Sequence, residues 1–489
     1  MFRKIASYSA SIYAVTMGAS ALSFLVTMVI ARRIPKEALG AYGFYVTIYA
    51  LVGMLLCSGL NQSLVKFLGD KPENRIEVTR IVVAVFALLC TIFFPASFVA
   101  WSLGGGASWA FGFAAIPFSA LIVLANSVFR AEFAKKNEIA NKVAVSALNS
   151  LLTLGFAFLL AAPLMAPIWG DFLSMAIPGT VILGVFLWQG EIRGPGVLFA
   201  LAKSPMVRRL LTFAIPLAIA GMAFVAYSNA ASLLLRALAG LAALGEYYFA
   251  LQLMNILEKP MTILASVVLA GFSRQPDISV REHKRLVGFN LVVFPLLAAG
   301  VAFGAPLLMQ IADVVLGNIK GEPLTIKYAM APAYVSLFAL AVPARCVEFL
   351  VSALAIARGR PDVNRNTHVI TTSTCLPLLA GMVWMFGPWG AALMPLAYQL
   401  VFLSLQAWQL RALMPEIVAH TTRAAATSTL LLAGALALAQ IHGAVFFFPL
   451  VAAVYLAAGH LLGAWDLKTL LPTRKSSLPP APVRPSYAE

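Results

Sequence analysis

Long apolar stretches recur along the whole chain and constrain its fold more than any other feature. Each is about 20 residues long, which is the length that a helix needs to cross the hydrocarbon core of a bilayer. Charged residues make up only 11% of the 489 residues, whereas soluble domains carry about a quarter. The sequence therefore predicts an all-α polytopic membrane protein.

The apolar stretches divide into fourteen predicted spans with short loops between them. The spans are 8–31, 38–60, 79–103, 109–129, 143–162, 168–190, 209–234, 243–270, 286–312, 329–357, 367–386, 390–410, 422–440 and 443–464. The first is too long for a signal peptide and lacks a clear cleavage site, so we expect it to be retained. Prolines inside the spans are expected to permit bent or broken helices.

Lysine and arginine residues predict the orientation in the membrane. With the N-terminus on the cytoplasmic side, the cytoplasmic segments hold 27 basic residues and the outer loops hold six. This asymmetry follows the positive-inside rule and explains the net charge of +16 without nucleic acid. Both termini are therefore predicted to be cytoplasmic.

An internal repeat indicates a duplicated architecture. A shift of 205 residues places ALGAYGF (38–44) on ALGEYYF (243–249). Six spans separate the copies, so the two halves keep one orientation and are related by an axis along the membrane normal. The predicted divisions are a first six-helix half at 1–207, a second at 208–420, two additional helices at 421–465 and a disordered Pro-rich tail at 466–489.

Three segments resemble those of a known family. They are ARRIPKEALGAYGFY at the first outer hairpin, SGLNQSLVKFL after the second span and FGPWGAAL between the eleventh and twelfth spans. The chain thus resembles the polysaccharide (O-antigen-type) repeat-unit flippases of the multidrug, oligosaccharidyl-lipid and polysaccharide exporter superfamily. The resemblance implies a bacterial inner-membrane protein that moves undecaprenyl-diphosphate-linked oligosaccharide to the outer leaflet by alternating access. Its implied partners are that substrate, membrane lipids and polysaccharide polymerase machinery.

Ionisable residues near the middle of two spans are the candidate functional residues. Glu258 and Lys259 lie in the eighth span, and Arg345 and Glu348 lie one turn apart in the tenth. A charge at the bilayer centre costs roughly 2.5–3.5 kcal/mol on insertion scales, so these groups should avoid lipid. The residues that match 258 and 259 in the first half are apolar or glycine, so buried charge is expected only in the second half.

Polar residues at helical spacing surround these charges. Gln252, Asn255, Lys259, Thr262 and Ser266 form one stripe on the eighth span. We expect Arg345 and Lys259 to bind the diphosphate in a central cavity between the halves, with Gln252, Asn255, Ser228 and Asn229 lining the same cavity. Alternatively, Arg345 and Glu348 form a local ion pair, Glu258 and Lys259 lock the bundle, and the hydroxyl residues serve helix packing.

The four mid-span charges sum to zero, and a neutral cluster attracts an anion poorly. Protonation of Glu258 or Glu348 would leave a cation for the diphosphate, so we predict ion coupling through one of them. The outer group Arg32, Arg33 and Lys36 could meet phosphate, but anchoring of the first span by snorkelling at the headgroups is the preferred interpretation.

Other function classes fit the sequence less well. A multidrug or organic-cation antiporter would carry acidic residues without nearby bases, and a peptidoglycan lipid-precursor flippase would carry several arginines in its first span. A glycan ligase or polymerase would need a large outer loop, and no outer loop reaches 20 residues, so no enzymatic activity or catalytic residue is predicted. The four isolated cysteines indicate neither a disulfide nor a metal site, and no cofactor is expected.

Overall fold

The computed structural model is all-helical in the residues it describes. These are residues 2–57, 59–70, 72–102, 106–132, 134–159, 165–192, 194, 196, 204–274, 280–317, 319, 321–411, 414–438 and 447–466, and they contain no β-strand. Apart from Asp466, the predicted tail lies outside them.

Within the described residues, seven helices and one 3-10 turn form the first half of the chain. They are α1 Phe2–Arg33, α2 Lys36–Cys57, α3 Leu60–Asp70, the 3-10 turn Pro72–Asn74, α4 Arg75–Ser102, α5 Gly106–Ala131, α6 Lys135–Leu159 and α7 Met165–Gln189. Ten helices follow. They are α8 Pro205–Leu238, α9 Gly240–Arg274, α10 Val280–Val315, α11 Leu324–Lys327, α12 Ala331–Leu340, α13 Val342–Ala357, α14 Pro361–Phe386, α15 Pro388–Leu410, α16 Pro415–Leu438 and α17 Phe448–Leu461.

Every predicted span overlaps a helix of the structure. Within the described residues, nine helices are long and apolar enough to cross a membrane, and the bent pair α12–α13 makes a tenth. The other four predicted spans overlap α2, α9, α16 and α17. The polytopic all-α fold predicted from the apolar stretches is therefore confirmed.

Prolines and glycines set where these helices begin, end and bend. The Ser204 side chain accepts a hydrogen bond from the Met206 amide and caps α8, with Pro205 following it. Helices α4, α5, α7 and α8 continue through an internal proline, whereas α12 and α13 meet at an angle of 42° beside Pro343. A break of the kind expected at prolines is thus found between α12 and α13 beside Pro343.

The two copies of the repeated motif contact each other. A Cβ added to Gly40 on α2 would lie 2.0 Å from the carbonyl oxygen of Leu241, and one added to Gly245 on α9 would lie 2.1 Å from that of Lys36. Each contact maps onto the other by the 205-residue shift, as the two sides of a two-fold interface do. Small residues allow such close helix crossings, so the two copies of the motif pack against each other in a reciprocal way.

This crossing joins the first half to the second. Helices α1 and α2 pack against α9, and α2 also packs against α8. Residues of α1 and α2, including Phe24, Met28 and Leu39, belong to the same buried apolar cluster as residues of α9 to α15. A separate apolar cluster joins α3, α4, α5 and α7. The predicted boundary at residue 207 stays a prediction.

Candidate functional site

The polar stripe of α9 faces the first half of the chain. Near the start of α9, the Tyr248 ring lies 5.9 Å from the Tyr42 ring of α2. Near its end, the Ser266 hydroxyl accepts a hydrogen bond of 3.3 Å from Arg130, which lies in the last turn of α5. Between them, the Asn255 amide donates to Gln252 at 3.4 Å. The stripe therefore runs along the interface between the halves.

The charged members of this helix lie outside the described side chains. The backbone of α9 is helical through Glu258, Lys259 and Pro260, but their side chains are not described. The assignments of Lys259 to diphosphate binding and Glu258 to ion coupling remain predictions.

Arg345 and Glu348 meet residues of three other helices from the second half. The Arg345 guanidinium lies 5.3 Å from the centre of the Phe224 ring on α8 and 5.7 Å from that of Phe349. The Glu348 side chain is buried, and its Oε1 lies 3.9 Å from Nε2 of His368 on α14. His368 Nδ1 lies 3.0 Å from the hydroxyl of Tyr398 on α15. The contacts described for Arg345 and Glu348 are with second-half residues, so a chamber that this group shares with the first half stays a prediction.

His368 and Tyr398 were not predicted as site residues. His368 stands alone in the segment NTHVITT, where no spacing links it to a carboxylate. The packing of α14 against α13 brings it to Glu348. Pattern analysis of a single span could not have found this pair.

Ser228 and Asn229 bond to their own helix. The Ser228 hydroxyl donates to the Phe224 carbonyl at 2.7 Å, and the Asn229 amide donates to the Val225 carbonyl at 2.9 Å. Such bonds to the preceding turn are common for hydroxyl and amide side chains in apolar helices. They do not distinguish a cavity wall from helix packing, so the lining role of both residues stays a prediction.

A second polar stripe, on α6, was missed. Its members Glu138, Lys142, Ser146, Asn149 and Thr153 are spaced i, i+4, i+8, i+11 and i+15, which keeps them on one helix face. Lys142 Nζ donates to the Thr16 hydroxyl of α1 at 3.2 Å, and Ser146 donates to the Ala19 carbonyl at 3.2 Å. The periodic spacing in EIANKVAVSALNSLLT was the signal that could have found this stripe.

Charged and polar groups occupy both ends of the α6 stripe. At one end, Glu138 is fully buried between Arg130 at 2.7 Å and Lys142 at 3.3 Å. At the other end, Asp171 of α7 accepts hydrogen bonds from Asn149 and from the Tyr42 hydroxyl. The expectation that buried charge is confined to the second half is therefore wrong, because two charged clusters lie within the first.

Two members of the basic group at the end of α1, Arg32 and Lys36, take part in a network of ion pairs and hydrogen bonds. Arg32 is 6% exposed and forms an ion pair of 3.0 Å with Asp313, whose carboxylate also accepts bonds from the Leu324 and Thr325 amides. Lys36 lies 3.6 Å from Glu246. Snorkelling to headgroups is therefore the wrong interpretation for Arg32, since its partners are Asp313 in the last turn of α10 and the Ile319 carbonyl that follows it.

Lys327 completes this network from the second half. It is buried, and its ammonium donates to the backbone carbonyls of Ala31 at 2.7 Å and of Ile34. Burial lowers the pKa of Lys327, while Glu322 and Glu37 act in the opposite direction. The end of the bundle that holds Arg32, called the Arg32 end below, is thus closed by contacts between the halves.

Comparison with known proteins identifies the family. The family model described as "Polysaccharide biosynthesis protein" matches residues 6–274, which is more than half of the chain. The chain belongs to the polysaccharide biosynthesis protein family. None of the curated proteins matches it. The resemblance stated from the three sequence segments is confirmed.

Solved structures share the fold of this polysaccharide biosynthesis protein. The lipid II flippase MurJ in an inward closed conformation has a TM-score of 0.62 at 10% identity and covers 93% of this chain and 98% of its own. An outward-facing multidrug resistance MATE family transporter of the MOP superfamily has a TM-score of 0.62 at 13% identity, covering 84% and 96%. A Vibrio cholerae MATE transporter has a TM-score of 0.57 at 16% identity, covering 84% and 98%. At these identities the likeness establishes the fold.

Among the residues described for this polysaccharide biosynthesis protein, no group of three metal-binding side chains comes together. The polar groups instead lie along α6 and α9, on α13 to α15, and at the Arg32 end.

Proposed function

We propose that this protein is a flippase that translocates undecaprenyl-diphosphate-linked oligosaccharide across the bacterial inner membrane. The observation that carries the proposal is the match of a polysaccharide biosynthesis family over residues 6–274 of a polytopic helical fold. A sugar headgroup cannot cross about 30 Å of hydrocarbon without a polar path. The α9 stripe contacts Arg130 of the first half, and the α6 stripe contacts α1 and α7, so both stripes supply polar side chains between helices.

The mechanism we propose is alternating access. The two halves are related by the repeat, and they meet in the crossing of α2 and α9 at Gly40 and Gly245. Rocking of such halves would open one end of the interface while the other closes. In this structure the Arg32 end is held by ion pairs and hydrogen bonds.

Ion coupling completes the proposal. Glu348 is a buried carboxylate beside the His368 imidazole, and Asp171 is a carboxylate held by Tyr42 and Asn149. Either carboxylate could take up a proton or exchange its partner for a cation during the cycle. In this scheme Arg345 and Lys259 bind the diphosphate, and Glu348 or Glu258 couples its movement to an ion.

A multidrug antiporter is the second candidate function. Asp171 favours it, because the hydrogen bonds described for this carboxylate come from the Tyr42 phenol and the Asn149 amide. An antiporter was expected to carry acidic residues without nearby bases. MATE transporters also share the fold. A flippase for a peptidoglycan lipid precursor is a third candidate, since MurJ shares the fold as well.

Removal of the protein from its host distinguishes these candidates. We expect lipid-linked oligosaccharide to accumulate in the cytoplasmic leaflet and to clear when the wild-type chain is restored. Heightened sensitivity to cationic dyes with no such accumulation would support the antiporter. Accumulation of peptidoglycan precursor alone would support the third candidate. Either result would overturn the proposal.

A further inference from the structure

Arg130, Glu138 and Lys142 form a buried cluster at the end of the interface opposite the Arg32 end. Glu138 has no exposed surface, while the Arg130 and Lys142 side chains are 16% and 14% exposed. Arg130 lies in the last turn of α5, and Glu138 and Lys142 lie in the first two turns of α6. The tight connection between the two helices brings both bases to one carboxylate.

The cluster contacts helices of both halves. Lys142 donates to Thr16 of α1, and Arg130 Nη1 donates to Ser266 of α9. Arg130 Nε donates to the Glu138 carboxylate at 2.7 Å. This bond holds the guanidinium group in an orientation in which its Nη1 atom points toward α9. Arg130 and Lys142 are thus held where the α6 stripe begins, beside the Ser266 end of the α9 stripe.

The chemistry of this arrangement suits a phosphate-containing anion. A guanidinium presents a planar fork that matches two oxygens of a phosphate, and an ammonium supplies a compact charge beside it. A carboxylate that holds both bases in place reduces the entropy lost when an anion binds. The hydroxyls of Thr16 and Ser266 accept hydrogen bonds from Lys142 and Arg130 and help to hold the two bases at this place.

We infer that Arg130 and Lys142, positioned by Glu138, form a diphosphate-binding site at the entry of the interface. The inference rests on the proposed function, and it names the place where the headgroup first binds. The predicted topology puts this end of α5 and α6 on the cytoplasmic side, where a lipid-linked precursor would arrive. From there the α6 stripe leads through Ser146 and Asn149 toward the other end.

Binding by the purified full-length protein tests the inference without transport. The probes are farnesyl diphosphate, farnesol and inorganic diphosphate, and the dissociation constant is measured by calorimetry. We expect wild-type protein to bind farnesyl diphosphate and inorganic diphosphate but not farnesol at the same concentration. A preference for farnesyl diphosphate over inorganic diphosphate would identify the ligand as a lipid headgroup, and equal affinity would identify a free anion.

Four variants locate the bound anion. Arg130→Gln and Lys142→Gln should each weaken farnesyl diphosphate binding about tenfold or more, because each removes a charged hydrogen-bond donor. Glu138→Gln weakens the hold on both bases but removes neither of them, so it should weaken farnesyl diphosphate binding by less than Arg130→Gln or Lys142→Gln does. Arg209→Gln is the matched control, since Arg209 is an exposed base on the same predicted side of the membrane, and it should leave binding unchanged.

Three results would overturn the inference. If Arg130→Gln and Lys142→Gln lower the thermal midpoint but keep the wild-type dissociation constant, the cluster is a structural lock. If Glu138→Gln leaves binding unchanged or tightens it while the protein stays folded, the carboxylate competes with the anion and does not position the two bases. If wild-type protein does not bind diphosphate, the site is absent, while accumulation of lipid-linked oligosaccharide still tests the proposed function separately.

Discussion

Glu348 is the residue at which the structure adds most to the proposed coupling. Its carboxylate faces His368, whose second ring nitrogen faces Tyr398, so three ionisable or hydroxyl groups form a chain across α13, α14 and α15. Arg345 lies in the same helix turn and stacks against Phe224. A proton taken up by Glu348 or His368 would add one positive charge to this group within the second half, which is the change that the proposed coupling needs.

Neutralising this carboxylate should uncouple transport from pH. We expect Glu348→Gln to lower proton-driven transport about tenfold, on the scale of typical coupling energies, and to flatten the pH profile. Glu416→Gln is the control, because Glu416 is an exposed carboxylate at the start of α16. Transport of fluorescent lipid-linked oligosaccharide in proteoliposomes across a pH series is the measurement. A Glu348→Gln variant with the wild-type rate and profile would exclude this residue from coupling.

At the scale of helices, the ion pair between Arg32 and Asp313 joins the end of α1 to the end of α10. Removing one partner of a buried ion pair typically costs about 3 kcal/mol, because the other charge is left unpaired. We expect Arg32→Ala and Asp313→Ala each to lower the thermal midpoint in detergent by several degrees. The exchange of both residues, R32D with D313R, should recover part of the loss. A double exchange no better than either single variant would show that the pair contributes little.

The glycine crossing of α2 and α9 gives a second prediction at this scale. A methyl group on Gly40 would overlap the Leu241 carbonyl oxygen, so Gly40→Ala should separate the helices at the Arg32 end. Gly18→Ala is the control, because a methyl group there meets no atom within 4 Å. Spin labels at Arg33 and Leu238, both exposed, report the separation as a longer distance. An unchanged distance in Gly40→Ala would mean that the crossing adapts without opening.

The sequence predicted helices better than it predicted contacts between helices. Apolar length alone placed a predicted span on every long apolar helix of the described residues, since each span is a local property of about 20 residues. The pairing of Arg32 with Asp313 joins residues 281 positions apart, and no local pattern shows such a pair. Arg130 and Lys142 looked like ordinary loop bases because only the packing of α5 and α6 around Glu138 buries them.

For the whole molecule, the predicted orientation can be tested directly. Single cysteines replacing Arg33 and Gly317 should react with a membrane-impermeant maleimide added outside spheroplasts, and cysteines replacing Gly194 and Arg365 should react only after lysis. Background labelling should be low, because Cys57, Cys346 and Cys375 are buried and Cys90 is half-buried. The reverse pattern of labelling would contradict cytoplasmic termini and would place the Arg130 cluster on the outer side.

The reciprocal contact at Gly40 and Gly245 also limits how the Arg32 end can come apart. Backbone touches backbone there, so no long side chain can stretch to maintain a partial bond while the helices drift. Separation by even a few ångströms must break both symmetric contacts together. We accordingly expect the glycine crossing to part in one step, while the longer side chains of Arg32, Lys36 and Lys327 release their partners over a greater distance.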